Sequence, residues 1–283
     1  MVEHLYAHIP FCPKVCPYCS FYKEASDRNK TRAFLDAVLR EAEIWGDRLQ
    51  PRTIFFGGGT PTALSTSQLD YLISGLRERM DFSRLEEFTI EMNPATVSLE
   101  KASRLRELGV NRVSMGVQSW DPGLLETLGR VHSKDQALRS HAILRDAGFD
   151  NINLDFIFGI PGQSVDQWVD TLRQTIALQP QHVSAYCLTY EEDTEYFLRL
   201  GRGEFSQDPE VDAALLSSPW RRSRARAKAN TRFPTTPARA ANADTISPTG
   251  WVRTTSASAP APFLPLAGNA GRTSATRRIT WPG

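Results

Sequence analysis

The chain has 283 residues, four cysteines and a formal net charge of +1 at pH 7. That length suits one large domain or two small ones, and the near-neutral balance argues for neither a nucleic-acid partner nor an anionic membrane surface. The start, MVEHLYAHIPF, has no basic stretch leading into an apolar one, and no apolar run approaches the roughly 20 residues that cross a bilayer. The expectation is a soluble, cytoplasmic protein in a reducing compartment, where clustered cysteines serve metals or catalysis rather than disulfides.

In chain order, short apolar segments alternate with amphipathic ones. The strand candidates are Leu5–Ile9, Thr53–Phe56, Glu87–Met92, Arg112–Gln118, Ile152–Phe158 and His182–Tyr190, several rich in Val, Ile or aromatics. Helical stretches lie between them at Lys30–Leu49, Thr66–Met80, Leu99–Leu108, Lys134–Ala147 and Val165–Leu178. Phe34, Leu35, Val38, Leu39 and Ala42 repeat at the i, i+3/i+4 spacing of a helix face. Ser98 before Leu99 reads as an N-cap, and Gly109 and Gly148 as C-terminal stops. Six βα units in series predict an α/β fold, a parallel sheet covered by helices with right-handed crossovers. The sheet either curls into a partial barrel or lies open, with the ligand site at the C-terminal strand ends in both cases.

The loop after the first strand, HIPFCPKVCPYCSF, places Cys12, Cys16 and Cys19 in a C-x3-C-x2-C spacing. Pro10, Pro13 and Pro17 keep it from forming a regular helix. A cubane iron–sulfur cluster normally takes four protein ligands, one per iron. Three thiolates leave one iron open to chelation by an amine and a carboxylate. A structural zinc site with His8 as a fourth ligand is the alternative, and chance spacing is another. Cys187, in VSAYCLTY, is expected to be a small buried hydrophobe rather than a ligand; the five histidines read as packing residues.

Further motifs sit at the other strand ends. Gly57-Gly58-Gly59-Thr60-Pro61-Thr62 follows the second strand, where glycines permit close backbone approach and exposed amides suit an amino-acid group; an ordinary tight turn is the alternative. Glu91, Gln118, Arg130 and Asp155 are polar groups at or beyond ends of apolar strands, where they need partners or solvent. The two carboxylates suit ribose hydroxyls or an ammonium, and the guanidinium suits a carboxylate.

Together LYAHIPFCPKVCPYCSF, FFGGGTPT, EMNP, VSMGVQSW, LGRVHS and NLDFIFGIPGQS resemble the radical SAM superfamily, and within it the oxygen-independent coproporphyrinogen III oxidase-like branch. The resemblance implies a partial (βα)6 barrel over a core domain at residues 1–205. It also implies a [4Fe-4S] cluster on Cys12, Cys16 and Cys19, with S-adenosylmethionine (SAM) chelated to the unique iron. Tyr6, Gly58, Gly59, Thr60, Glu91, Gln118, Arg130 and Asp155 match SAM-contacting positions, and Tyr18 the aromatic beside the adenine. The implied chemistry is reductive cleavage of SAM to a 5′-deoxyadenosyl radical, with electrons from a donor such as flavodoxin or ferredoxin. The oxidases of this branch carry a further cysteine where Phe21 stands, and a longer N-terminal extension. Both departures resemble instead the branch's heme chaperones, which imply heme or porphyrin as partner and an acceptor protein for the heme; the oxidase activity is the alternative.

The sequence changes character near Leu216. Residues 217–283 hold 11 Lys and Arg against one acidic residue, Asp244, and no histidine, so the His-Asn-x-x-Tyr-Trp motif that the resemblance implies for a C-terminal domain does not occur. Residues 206–283 are expected to be a basic, disordered tail with no packed element, produced by a shift of reading frame or natural as it stands.

Overall fold

The computed structural model describes residues 2–25, 27–206, 208, 210–215, 217, 244–247 and 251–252. The chain enters on β1 (Val2–Ile9). The loop that follows is closed at its base by two short parallel strands, β2 (Phe11–Cys12) and β3 (Glu24–Ala25). Helix α1 (Arg28–Trp45) starts at Asp27, whose carboxylate accepts from Lys30 N–H. It stops four residues short of the expected Leu49. Gly46, at φ +47°, ends it in the left-handed conformation that glycine adopts at no steric cost. A 3-10 turn then leads into β4 (Leu49–Gly58).

From there strand and helix alternate through α2 (Thr66–Arg77), β5 (Glu87–Met92), α3 (Leu99–Glu107) and β6 (Arg112–Gln118). The series continues with α4 (Pro122–Thr127), α5 (Lys134–Asp146), β7 (Asn151–Phe158), α6 (Val165–Ala177), β8 (His182–Cys187) and α7 (Glu195–Gly201). Ser98 caps α3, and Gly109 and Gly148 take positive φ at helix ends, both as expected. The last strand ends at Cys187 rather than Tyr190, with one further bond from Leu188 N–H to Phe158 O beyond its end. Helices α4 and α7 were not anticipated; each begins at a side-chain cap, Asp121 followed by Pro122 in one and Thr194 in the other.

The six strands β1, β4, β5, β6, β7 and β8 pair in parallel in chain order and curl into a half-barrel. Alternate side chains point to opposite faces. The outward set, such as Leu5, Ile54, Phe56, Phe88, Ile90, Val113, Met115, Leu154 and Phe156, is fully buried against the helices in one core. The inward set is largely polar. Glu91, Ser114, Asn153 and His182 lie side by side on successive strands.

The basic tail lies almost wholly outside the described residues. Several of its described residues depart from the expectation of no packed element: residues 210–215 are helical, and Leu215 is buried in the main core. β9 (Asp244–Ser247) pairs in parallel with β1 at Leu5 and Tyr6, and β10 (Trp251–Val252) pairs antiparallel with β9. The outer edge of β1 would present unpaired backbone groups, and Asp244 and Thr245 of β9 cover part of that edge.

Candidate cluster and cofactor site

The three-cysteine loop is a closed structure. Glu24 N–H donates to Pro10 O at 2.9 Å where the loop returns, and Cys19 N–H donates to Cys16 O at 3.1 Å inside it. All three thiols are free and half-buried. Burial pushes the Cys12 thiol pKa up, the Thr60 hydroxyl 3.7 Å away opposes this, and the other two thiols raise it further. The Cys19 thiol is raised chiefly by burial, with Lys23 opposing. Among the described residues, no three His, Cys, Asp or Glu side chains are close enough to share one metal ion. A zinc site needs such convergence, whereas a cubane takes each thiolate on a different iron. Three loop thiols fit a cubane that leaves one iron open, and fall one short of the four protein ligands of a structural zinc site.

The glycine loop differs from its sequence reading. The amides expected to face a ligand are taken by the chain. Gly58 N–H donates to Glu91 Oε2 at 3.2 Å, Gly59 N–H to Ile9 O and Thr60 N–H to Phe11 O, both at 2.8 Å. The close approach that Gly59 permits is to the cysteine loop, since a Cβ there would sit 2.6 Å from Pro10 O. The loop is thus the floor on which the cysteine loop rests, and Thr60 reaches from it to Cys12. Tyr6, on the inner face of β1, stacks on Phe55 at 5.7 Å; burial and the Glu91 carboxylate raise its phenol.

On the other side of the rim, Arg130 Nη1 donates to Cys16 Sγ at 3.5 Å and Nη2 to Gly116 O at 2.9 Å, while its buried Nε has no partner. Burial opposes its charge, yet Tyr18 and Cys16 hold its pKa above the ordinary value. Gln118 ends β6 at φ +69°, where a bulge shifts the β6–β7 register. Asp155 accepts from Ser114 Oγ and Asn153 Nδ2, both at 2.7 Å. Asn153 also donates to Ser114 Oγ and accepts from His182 and Ser184.

Three groups therefore form: Tyr6, Gly58 and Glu91; Cys16, Tyr18 and Arg130, with Gln118 beside Gly116; and Asp155 in its own network. Register joins them, because Glu91 pairs with Ser114 and Gly116 with Asp155. Ser114, Asn153, His182 and Ser184 were missed from sequence. Their signal was polar residues at every second position of β6, β7 and β8, the mark of a solvated or ligand-lined strand face. The reading of Cys187 as a buried hydrophobe is corrected: the residue is exposed, with its sulfur beside Gly159 and Asp212. Burial of the thiol itself and the Asp212 charge push it up to about 11.

A parallel half-barrel with a three-thiol loop after its first strand, and with carboxylates, amide and guanidinium along one rim, defines a class that holds an iron–sulfur cluster and a small polar cofactor at its strand ends. The radical SAM superfamily model matches residues 6–175, and the chain belongs to that superfamily. A [4Fe-4S] cluster and SAM are the cofactors this family implies. The heme chaperone HemW of Lactococcus lactis subsp. lactis (strain IL1403) is 37% identical over 198 residues, which is 70% of this chain and 52% of that protein. HemW of Bacillus subtilis (strain 168) is 38% identical over 217 residues, 75% of this chain and 57% of its own length. Among solved structures, coproporphyrinogen III oxidase (HemN) from Escherichia coli, a radical SAM enzyme, matches with a TM-score of 0.69 and 27% identity over 79% of this chain and 53% of that one. The chain spans about half the length of these relatives.

Proposed function

We propose that the chain is the radical SAM part of a heme chaperone, binding heme or porphyrin and passing heme to an acceptor protein. Cys12, Cys16 and Cys19 would hold the cluster, with Arg130 hydrogen-bonded to Cys16. Tyr6, Glu91, Gln118, Arg130 and Asp155 would bind SAM. Gly58 and Gly59 would line its site, Thr60 would brace Cys12, and Tyr18 would lie against the adenine. When bound, the cluster supplies the electron that cleaves SAM, delivered by a flavodoxin or ferredoxin; the chain's residues bind, orient and shield. Oxidation-sensitive thiols and a low-potential donor would suit the reducing cytoplasm. The observation that carries this reading is the three-thiol loop braced by Arg130 on the rim that also presents Glu91, Gln118 and Asp155. The similarity to HemW, and exposed Phe21 in place of a fourth loop cysteine, favour chaperone over oxidase.

The test is anaerobic purification with iron and sulfide analysis, followed by hemin titration. About four irons per chain are expected, with Cys16→Ala losing the visible chromophore and SAM cleavage together and Cys187→Ala keeping both. Hemin is expected to bind and move to an acceptor hemoprotein. Steady turnover of coproporphyrinogen III with reductant and SAM would instead establish the oxidase reading, which the HemN likeness supports.

A further inference from the structure

The half of the cysteine loop between Cys16 and Cys19 is gripped by two segments outside the cysteine motif. On one side lies α7, which follows the sixth strand. Tyr196 is completely buried. Its N–H donates to Pro17 O at 3.1 Å, its ring meets Tyr18 edge-on at 6.2 Å, and its hydroxyl donates to Thr127 O. Thr127 ends α4, three residues before Arg130, which reaches back to Cys16. On the other side, Gly129 sits at φ +66° with its Cα against Pro17, so close that a Cβ there would meet Pro17 Cδ at 2.8 Å. Tyr196 thus ties three separate segments together: the cysteine loop, the α4 turn that carries Arg130, and α7. A small apolar cluster supports it, with Leu124, Leu128, Ile157 and Leu188 packed around the ring and Phe205 at 4.9 Å.

We propose that Tyr196 is a positioning residue for the cluster: α7 locks the Pro17–Tyr18 backbone so that Cys16 and Cys19 keep the spacing a cubane face requires. This rests on the cluster assignment of Cys12, Cys16 and Cys19. A loop free to rearrange would release iron sooner and would present Tyr18 to SAM in more than one orientation. Fixing the loop before the cluster arrives lowers the ordering cost of binding.

The experiment uses the full chain, reconstituted anaerobically. It measures the rate at which an excess ferrous chelator bleaches the visible absorption, and the electron paramagnetic resonance spectrum of the reduced cluster with and without SAM. Tyr196→Phe keeps the ring and the N–H but loses the hydroxyl bond to Thr127 O, and is expected to bleach faster than the parent but more slowly than the Leu variant. Tyr196→Leu keeps the N–H and an apolar side chain but loses both the edge contact and the hydroxyl bond, and is expected to lose iron roughly three- to tenfold faster, about what one such aromatic pair supplies, with a broadened SAM-bound spectrum. Gly129→Ala, which leaves the apolar cluster intact, is expected to move both readouts the same way and decides the matter if Tyr196→Leu does not fold. Parent-like bleaching and spectra in Tyr196→Leu and Gly129→Ala, or equal loss in the Phe and Leu variants, overturn the grip. A parent chain that takes up no cluster, or a Cys16→Ala chain that keeps one, sinks the underlying assignment instead, and the grip with it.

Discussion

Gln118 shows how a single residue can be held against its own preference. A non-glycine residue at φ +69° costs on the order of 1 kcal/mol, and such strain gathers at functional sites because the surrounding structure enforces it. Gln118→Gly is expected to raise the melting temperature by a degree or more while weakening SAM binding; calorimetry and equilibrium dialysis would separate the two, and unchanged affinity would remove Gln118 from the site. His132 holds the same bulge from behind. Its Nε2 donates to Val117 O at 3.0 Å, its Nδ1 has no partner, and burial, with Arg130 adding, lowers its pKa from 6.5 to about 4. Between those values the unfolded chain binds a proton that the native state refuses. Its contribution is therefore fully present above about pH 6.5 and falls as the pH drops toward 4, by up to about 1.4 kcal/mol per pH unit. Denaturant titrations of His132→Gln should show a flatter slope in that window; an unaltered slope would mean other groups carry it.

At the scale of elements, the site depends on helices that never touch a cofactor position. Lys101, on α3, sends Nζ to Thr62 O at 2.9 Å and Leu64 O at 3.0 Å, clamping the glycine loop that supports the cysteine loop. Lys101→Met keeps the stem and removes both bonds. It is expected to cost roughly 2 kcal/mol, measured by urea unfolding, and a loss under a few tenths would show that water replaces the ammonium there. Three helices begin with the same device: Ser65 with Gln68, Ser133 with Gln136 and Ser164 with Gln167 each form a reciprocal capping box. These S-x-x-Q pairs were legible in the sequence, as were Ser98 and the glycine stops. Helix α4 was also signalled, by Asp121-Pro122. Helix α7 was harder to find, because its seven residues are too few to display a helical period.

For the whole molecule, cluster binding and folding are linked, because the thiolate loop closes on residues from β1, β4, the α4 turn and α7. A ligand that binds only the folded state stabilises it by mass action. The cluster-loaded chain is expected to melt roughly 5 °C or more above the same chain stripped by chelator under anaerobic conditions. Coincident melting of the two forms would mean that the loop loads its cluster without support from the barrel. SAM is expected to add a further increment only to the loaded form.

The order of the six barrel strands and of the five longer helices was written in the sequence, because apolar period, caps and glycine stops are local signals. So was the thiol loop: C-x3-C-x2-C needs only the chain's own spacing to be seen. The inner-face network of Ser114, Asn153 and His182, the use of the glycine-loop amides by the chain itself, the contact of Arg130 with Cys16 114 residues away, and the grip of Tyr196 on Pro17 required the tertiary structure. These depend on sheet register and on which segments pack side by side, and neither is a property of any local stretch of residues.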